Sequence, residues 1–292
     1  MIGASAARQR VSEHAVRRVR RLEARRRAAA RIGLSGAHIS PRSWAEWTPQ
    51  GNYLAVHVGR KQACPVPGAT RGVVHGFSRQ SRSRLLKTLA KVDRSVSSTA
   101  LFVTLTYPSS FTEAASLCKS HLDSFVKRLH RKFVRLAIIW RLELTEAGTP
   151  HFHLIVFGAR FIPHEWVARA WAGVCNTGHP DHERTGTETR RVVSFTQAFG
   201  YAAKYVAKVA EGATFHTSGR VWGVAGRRHL PIRVCQWELD GRGEARLTRA
   251  IRDLVGSRSK RANASPWPPR WLIMPGARGE RLIGWSAGLP GY

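Results

Sequence analysis

Two short segments carry residues able to do chemistry together. The first is His151-Phe152-His153. On a β-strand, residues two apart face the same side, so the two imidazoles project together while Phe152 points away. A pair of imidazoles side by side can ligate a divalent cation. Taken alone, His-x-His fits a solvated or DNA-facing strand just as well. The preceding segment adds to the pair. Its alternation puts Arg141, Glu143 and Thr145 on one face, and a turn at 147–149 would bring Glu143 roughly opposite the histidines. A cross-strand carboxylate there supplies a third, hard ligand. Two histidines and one carboxylate leave positions for a phosphate oxygen and water, the arrangement by which a metal acts as Lewis acid on a phosphodiester. The competing role for Glu143 is an ion pair with Arg141. Glu146, nearer the turn, is the weaker ligand candidate.

The second segment is Tyr201-Ala-Ala-Lys204-Tyr205-Val-Ala-Lys208. On a helix Tyr201 and Tyr205 share a face, and Lys204 and Lys208 share an adjoining one. A tyrosine hydroxyl can attack a phosphodiester and form a phosphotyrosine link. A lysine beside it favours the phenolate or steadies charge on the phosphate. The plainer reading is an amphipathic helix with half-buried tyrosines and solvated lysines.

The elements that must position these residues follow from pattern. A helix is expected over 82–94. The β-branched run ALFVTLTY, closed by Pro108, is a strand over 100–107. Leu117, Leu122, Phe125, Val126 and Leu129 recur at helical spacing over 116–133. Lys119, Lys127, Arg128, Arg131 and Lys132 give that helix a basic outer face suited to DNA phosphates. AIIWRLEL (137–144) and PHFHLIVF (150–157) are strands joined in a hairpin by the intervening turn. A helix over 162–174, a polar loop over 175–190, strands over 191–195 and 232–239 and a helix over 198–210 complete the pattern. The order predicts an α+β fold, an antiparallel sheet with helices packed on one face. Three regions result: a basic arm and loop-rich extension (1–82), a catalytic domain (83–240), and a basic Pro/Trp-containing extension (241–292), mostly irregular from 256.

Charge narrows the partner. Forty-eight Lys+Arg against 18 Asp+Glu leave a net charge of +30, which points to a polyanion, most simply nucleic acid. The plain alternatives are a generally basic proteome or a ribosome-like role. The four cysteines are widely spaced with no C-x-x-C pair, so neither a zinc ribbon nor a redox dithiol is indicated. Cys175, His179 and His182 form a loose group without finger-like spacing. No secretory h-region and no membrane-length apolar run is present, so a soluble, cytoplasmic protein is expected.

Taken in order, these motifs resemble the HUH endonuclease superfamily. His151-Phe152-His153 is similar to its His-hydrophobe-His motif, and Phe102–Tyr107 to the first motif of its replication initiators. Tyr201 to Lys208 resembles the two-tyrosine motif of phage and plasmid initiators of rolling-circle replication. The resemblance spans roughly residues 100–225. It implies a five-stranded antiparallel sheet of RNA-recognition-motif type with the histidines on the central strand, and Mg²⁺ or Mn²⁺ as cofactor. It further implies nicking of single-stranded or hairpin origin DNA, a 5′-phosphotyrosine intermediate, and strand rejoining by the second tyrosine. The chain has no Walker A sequence, so host helicase and polymerase are the expected partners. Relaxases and single-strand transposases of the same superfamily are alternatives, as is a non-catalytic nucleic-acid-binding protein. Relaxases tend to place their tyrosines before the histidines, and these transposases usually carry one tyrosine.

Overall fold

The computed structural model describes residues 43–58, 77–95, 100–111, 115–145, 148–192, 220–256 and 271–288. Its central element is a five-stranded open sheet, antiparallel throughout. The strands are β3 (Ala100–Thr106), β4 (Ala137–Leu144), β5 (Pro150–Phe157), β6 (Thr187–Arg191) and β7 (Trp222–Ala225), in the order β6-β3-β5-β4-β7. The histidine strand β5 is therefore central. The fold is α+β, as the pattern predicts.

The β4–β5 hairpin sets the register that matters most. Thr145 N–H donates to Thr149 O at 2.9 Å, and Gly148 N–H to Thr145 O at 2.9 Å. Gly148 has φ +81°, a left-handed conformation that glycine adopts without a Cβ penalty. The turn pairs Leu144 with Pro150, Glu143 with His151 and Arg141 with His153.

Alternation then divides the sheet into two faces. Leu101, Val103, Leu105, Ile138, Leu142, Phe152, Leu154 and Val156 point to one face. Helix α2 (Ala115–Lys132) covers it with Cys118, Leu122, Phe125, Val126 and Leu129, and α3 (His164–Cys175) with Val167, Ala170 and Trp171. Phe125 and Phe152 both meet the fully buried Trp171 ring edge-on, at 5.8 and 6.2 Å between centroids. On the second face, α1 (Arg79–Lys91) packs Leu85 and Leu89 over Ala100, Phe102, Ala137, Ile139, Ile155 and Phe157. That apolar half is covered by a helix, and the half bearing Thr104, Arg141, Glu143, His151 and His153 is polar.

The edge strands read less plainly from sequence. β6 runs over Thr187–Arg191, ahead of the expected 191–195, and follows a single-turn helix α4 (His182–Thr185). Its sequence TETRR has no apolar alternation because it pairs only with β3 and stays largely exposed. β7 contains Trp222-Gly223. Gly223 pairs with Trp140, and a Cβ there would stand 2.8 Å from the Trp140 ring. Trp222 Nε1–H donates to Ser81 Oγ at 2.8 Å and so ties α1 to the sheet edge. The helix expected over 198–210 lies outside the described residues.

A second sheet has the order β8-β1-β2-β9. It joins β1 (Ser43–Trp47) and β2 (Tyr53–His57) to β8 (Cys235–Leu239) and β9 (Trp271–Ile273). Helices α5 (Gly241–Gly256) and α6 (Gly276–Ser286) complete its core with Leu247, Ile251 and Ile283. Residues 271–286, expected to be irregular, thus form a strand and a helix. Lys91 at the end of α1 bonds Glu46 on β1. His57, whose Nε2 lies 3.8 Å from the carboxylate, and this Lys91 pair hold the Glu46 carboxyl at about 2, against its burial.

Candidate metal centre

The polar half of the second face gathers Glu143, His151 and His153. Among the described residues this is the group of three whose ligand atoms lie within 4.8 Å of one another. His151 Nε2 and His153 Nε2 are 2.8 Å apart. Glu143 Oε2 stands 3.5 Å from His153 Nε2 and 3.9 Å from His151 Nε2. A triangle with these sides has a circumradius of about 2.0 Å, close to the ~2.0–2.2 Å at which nitrogen and oxygen donors hold small divalent cations. One point is therefore at bonding distance from all three donors. The imidazole planes cross at 89°, as two ligands converging from adjacent positions on one strand can do. The donor set fits a cation.

The surroundings favour the ligating forms. The three side chains are only 11–13% exposed, which strengthens electrostatics in the site. Burial first, then the neighbouring His153, hold His151 down to about 4. Its imidazole is accordingly neutral at neutral pH, with a lone pair available to a metal. Thr104 is opposite His153 in the β3–β5 ladder, and its Oγ1 lies 3.5 Å from His153 Nδ1. Thr106 is likewise opposite His151. The Thr-Leu-Thr end of β3 therefore flanks both histidines, a relationship visible in the sequence only once the strand pairing is known.

From sequence, Arg141 competes with the cation for Glu143. In the structure its guanidinium lies 2.9 Å from Glu143 Oε1, while Oε2 faces the histidines. Each role uses one oxygen, so the two coexist. The guanidinium also sits over the Phe77 ring at 4.4 Å, and burial lowers its pKa from the ordinary range. Strand alternation places Arg141 on the right face but does not reveal which carboxylate oxygen it meets.

Residues 100–210 match a family model described as replication-associated protein ORF2. No curated protein and no solved structure matches the chain. The matched stretch begins at the first residue of β3 and contains all three metal-ligand candidates together with Tyr201 and Tyr205. It supports a replication-associated role, and with it DNA binding, for the segment that carries the triad.

The other sequence candidates divide. Tyr201, Lys204, Tyr205 and Lys208 lie outside the described residues, as does Glu146. Lys127, Arg128, Arg131 and Lys132 are exposed on α2, and Lys119 is partly buried. They stand on the face of the sheet opposite the triad. The Cys175, His179 and His182 group does not converge. His182 binds Thr106 O at 2.9 Å and Thr177 Oγ1 at 3.1 Å. Burial pushes the Cys175 thiol well above its ordinary value. Among the described residues, no helix is long and apolar enough to cross a membrane.

Proposed function

We propose that the chain initiates rolling-circle replication by nicking and rejoining single-stranded origin DNA with Mg²⁺ or Mn²⁺. The observation that carries this reading is the Glu143–His151–His153 triangle, whose donors converge on one point within a stretch matching a replication-associated family.

Glu143, His151 and His153 would hold the cation, which when bound polarises the scissile phosphate. Arg141 keeps the Glu143 carboxylate oriented through its second oxygen. Tyr201 or Tyr205 supplies the nucleophile. The phenolic oxygen attacks phosphorus and forms the P–O(Tyr) bond. The P–O3′ bond breaks, and the leaving oxygen takes up a proton to become a free 3′-OH. The 5′ phosphate stays esterified to the protein. The second tyrosine, four residues away in the chain, repeats the transfer after a round of synthesis and releases a circle. Lys204 and Lys208 favour the phenolate and steady charge on the phosphate. The exposed cations of α2, with Lys119, contact DNA phosphates. Strand separation and synthesis fall to host helicase and polymerase, in the bacterial cytoplasm.

The test is incubation of the full chain with single-stranded origin DNA and Mn²⁺, followed by denaturing gels. A covalent protein–DNA band is expected. It disappears in the Tyr201→Phe/Tyr205→Phe double variant and in His151→Ala. Absence of nicking on every single-stranded substrate, with metal supplied, overturns the proposal.

A further inference from the structure

Helices α2 and α3 lie side by side on the sheet face that the triad does not occupy. Between them opens a cleft of about 450 Å³ lined by Arg128, Arg131, Lys132, Trp166, Arg169 and Ala170. Four of these six residues are cations, and none is a carboxylate. The cations come from both helices, and all four are exposed. Neighbouring acids do little to neutralise them. Asp123 is engaged one turn away by Lys127 at 2.6 Å, and Glu165, itself 83% exposed, approaches Arg169 only to 3.9 Å. Arg128 Nη1–H donates to Ala170 O at 3.3 Å, which holds its guanidinium across the cleft. Trp166 is anchored edge-on against Phe133, with centroids 5.2 Å apart and planes at 90°, and remains partly exposed.

An open cleft of this size has room for a nucleotide. Converging guanidinium and ammonium groups match a phosphodiester backbone, and an anchored indole offers a stacking surface that only an unpaired base can reach. We infer that the α2–α3 cleft is a second DNA site, taking the backbone of single-stranded DNA on Arg128, Arg131, Lys132 and Arg169 with a base against Trp166. The proposal builds on the DNA-directed reading above but uses neither metal nor tyrosine. Because the cleft and triad are on opposite faces of one sheet, the nucleotide held here is not the one being cut. The cleft anchors a flanking stretch of the strand.

The probe is 5′-fluorescein dT30, titrated with the full chain in EDTA and read by fluorescence anisotropy at several salt concentrations. Arg131→Gln/Lys132→Gln/Arg169→Gln removes three exposed charges and leaves the Arg128–Ala170 bond. It should weaken dT30 binding at least tenfold at low salt. The slope of log K against log salt should flatten by about 2, as expected for three lost phosphate contacts on a single strand. Unchanged thermal unfolding and unchanged Mn²⁺ uptake by the triple variant show that it is folded. Photo-crosslinking with 5-iodouracil placed along the strand should give an adduct on the peptide containing Trp166. Wild-type affinity in the triple variant, or adducts confined to β3, β4 and β5 peptides, overturns the second site. A 30-base-pair duplex that loses as much affinity as dT30 overturns the single-strand assignment. Nicking is not read in this experiment, so its outcome and that of the nicking assay are independent.

Discussion

Glu143 faces His151 directly across the β4–β5 ladder, and it divides its carboxylate between two partners. Oε2 lies 3.9 Å from His151 Nε2, and Oε1 lies 2.9 Å from Arg141. The consequence is that one side chain would serve both the proposed metal binding and stability. Glu143→Gln keeps the shape and removes the charge. Mn²⁺ affinity, measured by calorimetry, should fall at least tenfold. The metal-free protein should also lose about 2–4 kcal/mol in urea unfolding, because Arg141 is left nearly buried without its counter-charge. Replacing both residues, Arg141→Leu with Glu143→Gln, should recover part of the stability and none of the metal affinity. Equal losses in the single and double variants would show that the ion pair contributes nothing.

His151 introduces a pH dependence of defined sign. Its folded value is held at about 4 by burial and by His153, below the ordinary ~6.5 of an unfolded chain. As pH falls, the unfolded state takes up the proton first, so stability is lost through the window from about 6.5 down to about 4. The loss reaches about 3 kcal/mol at the acid end. Urea unfolding in EDTA at pH 7, 5.5 and 4.5 should show it, and His151→Gln should remove most of the slope across that window. Parallel slopes in wild type and variant would assign the effect to other groups.

Gly223 is held by packing rather than by backbone conformation. The Cβ of an alanine would sit 2.8 Å from the Trp140 ring, and the indole cannot withdraw without disturbing β4. Gly223→Ala should cost about 1–3 kcal/mol, the usual range for overpacking. Because β7 pairs with Arg141 and supports Trp222 against α1, Mn²⁺ affinity should fall with it. A variant as stable as wild type would mean that Trp140 has room to move.

Much of the sheet core is legible in the chain. ALFVTLT, AIIWRLEL and PHFHLIVF are strands because β-branched and apolar residues dominate them, and the two-residue period assigns a face to each side chain. A five-residue connection with glycine at a positive-φ position leaves few registers, so the meeting of Glu143 with His151 follows from local rules. The basic face of α2 follows from helical spacing. The second sheet does not follow in this way. Ser43–Trp47 pairs with Cys235–Leu239, and no local pattern links segments nearly two hundred residues apart. β6 is hidden for a different reason: an exposed edge strand needs no apolar alternation.

The sequence by itself determined the candidate ligand set, because residue type and strand alternation decide which donors share a face. It also pointed to a polyanionic partner, because net charge survives any arrangement of the chain. Three things were decided only by the tertiary structure. The Glu143 carboxylate is shared between Arg141 and the two histidines, Thr104 is opposite His153, and the α2 cations join Arg169 and Trp166 on the far face of the sheet. Each depends on distances between elements that no propensity encodes. They are settled by how α1 covers one face of the sheet and how α2 and α3 bury their apolar stripes against the other.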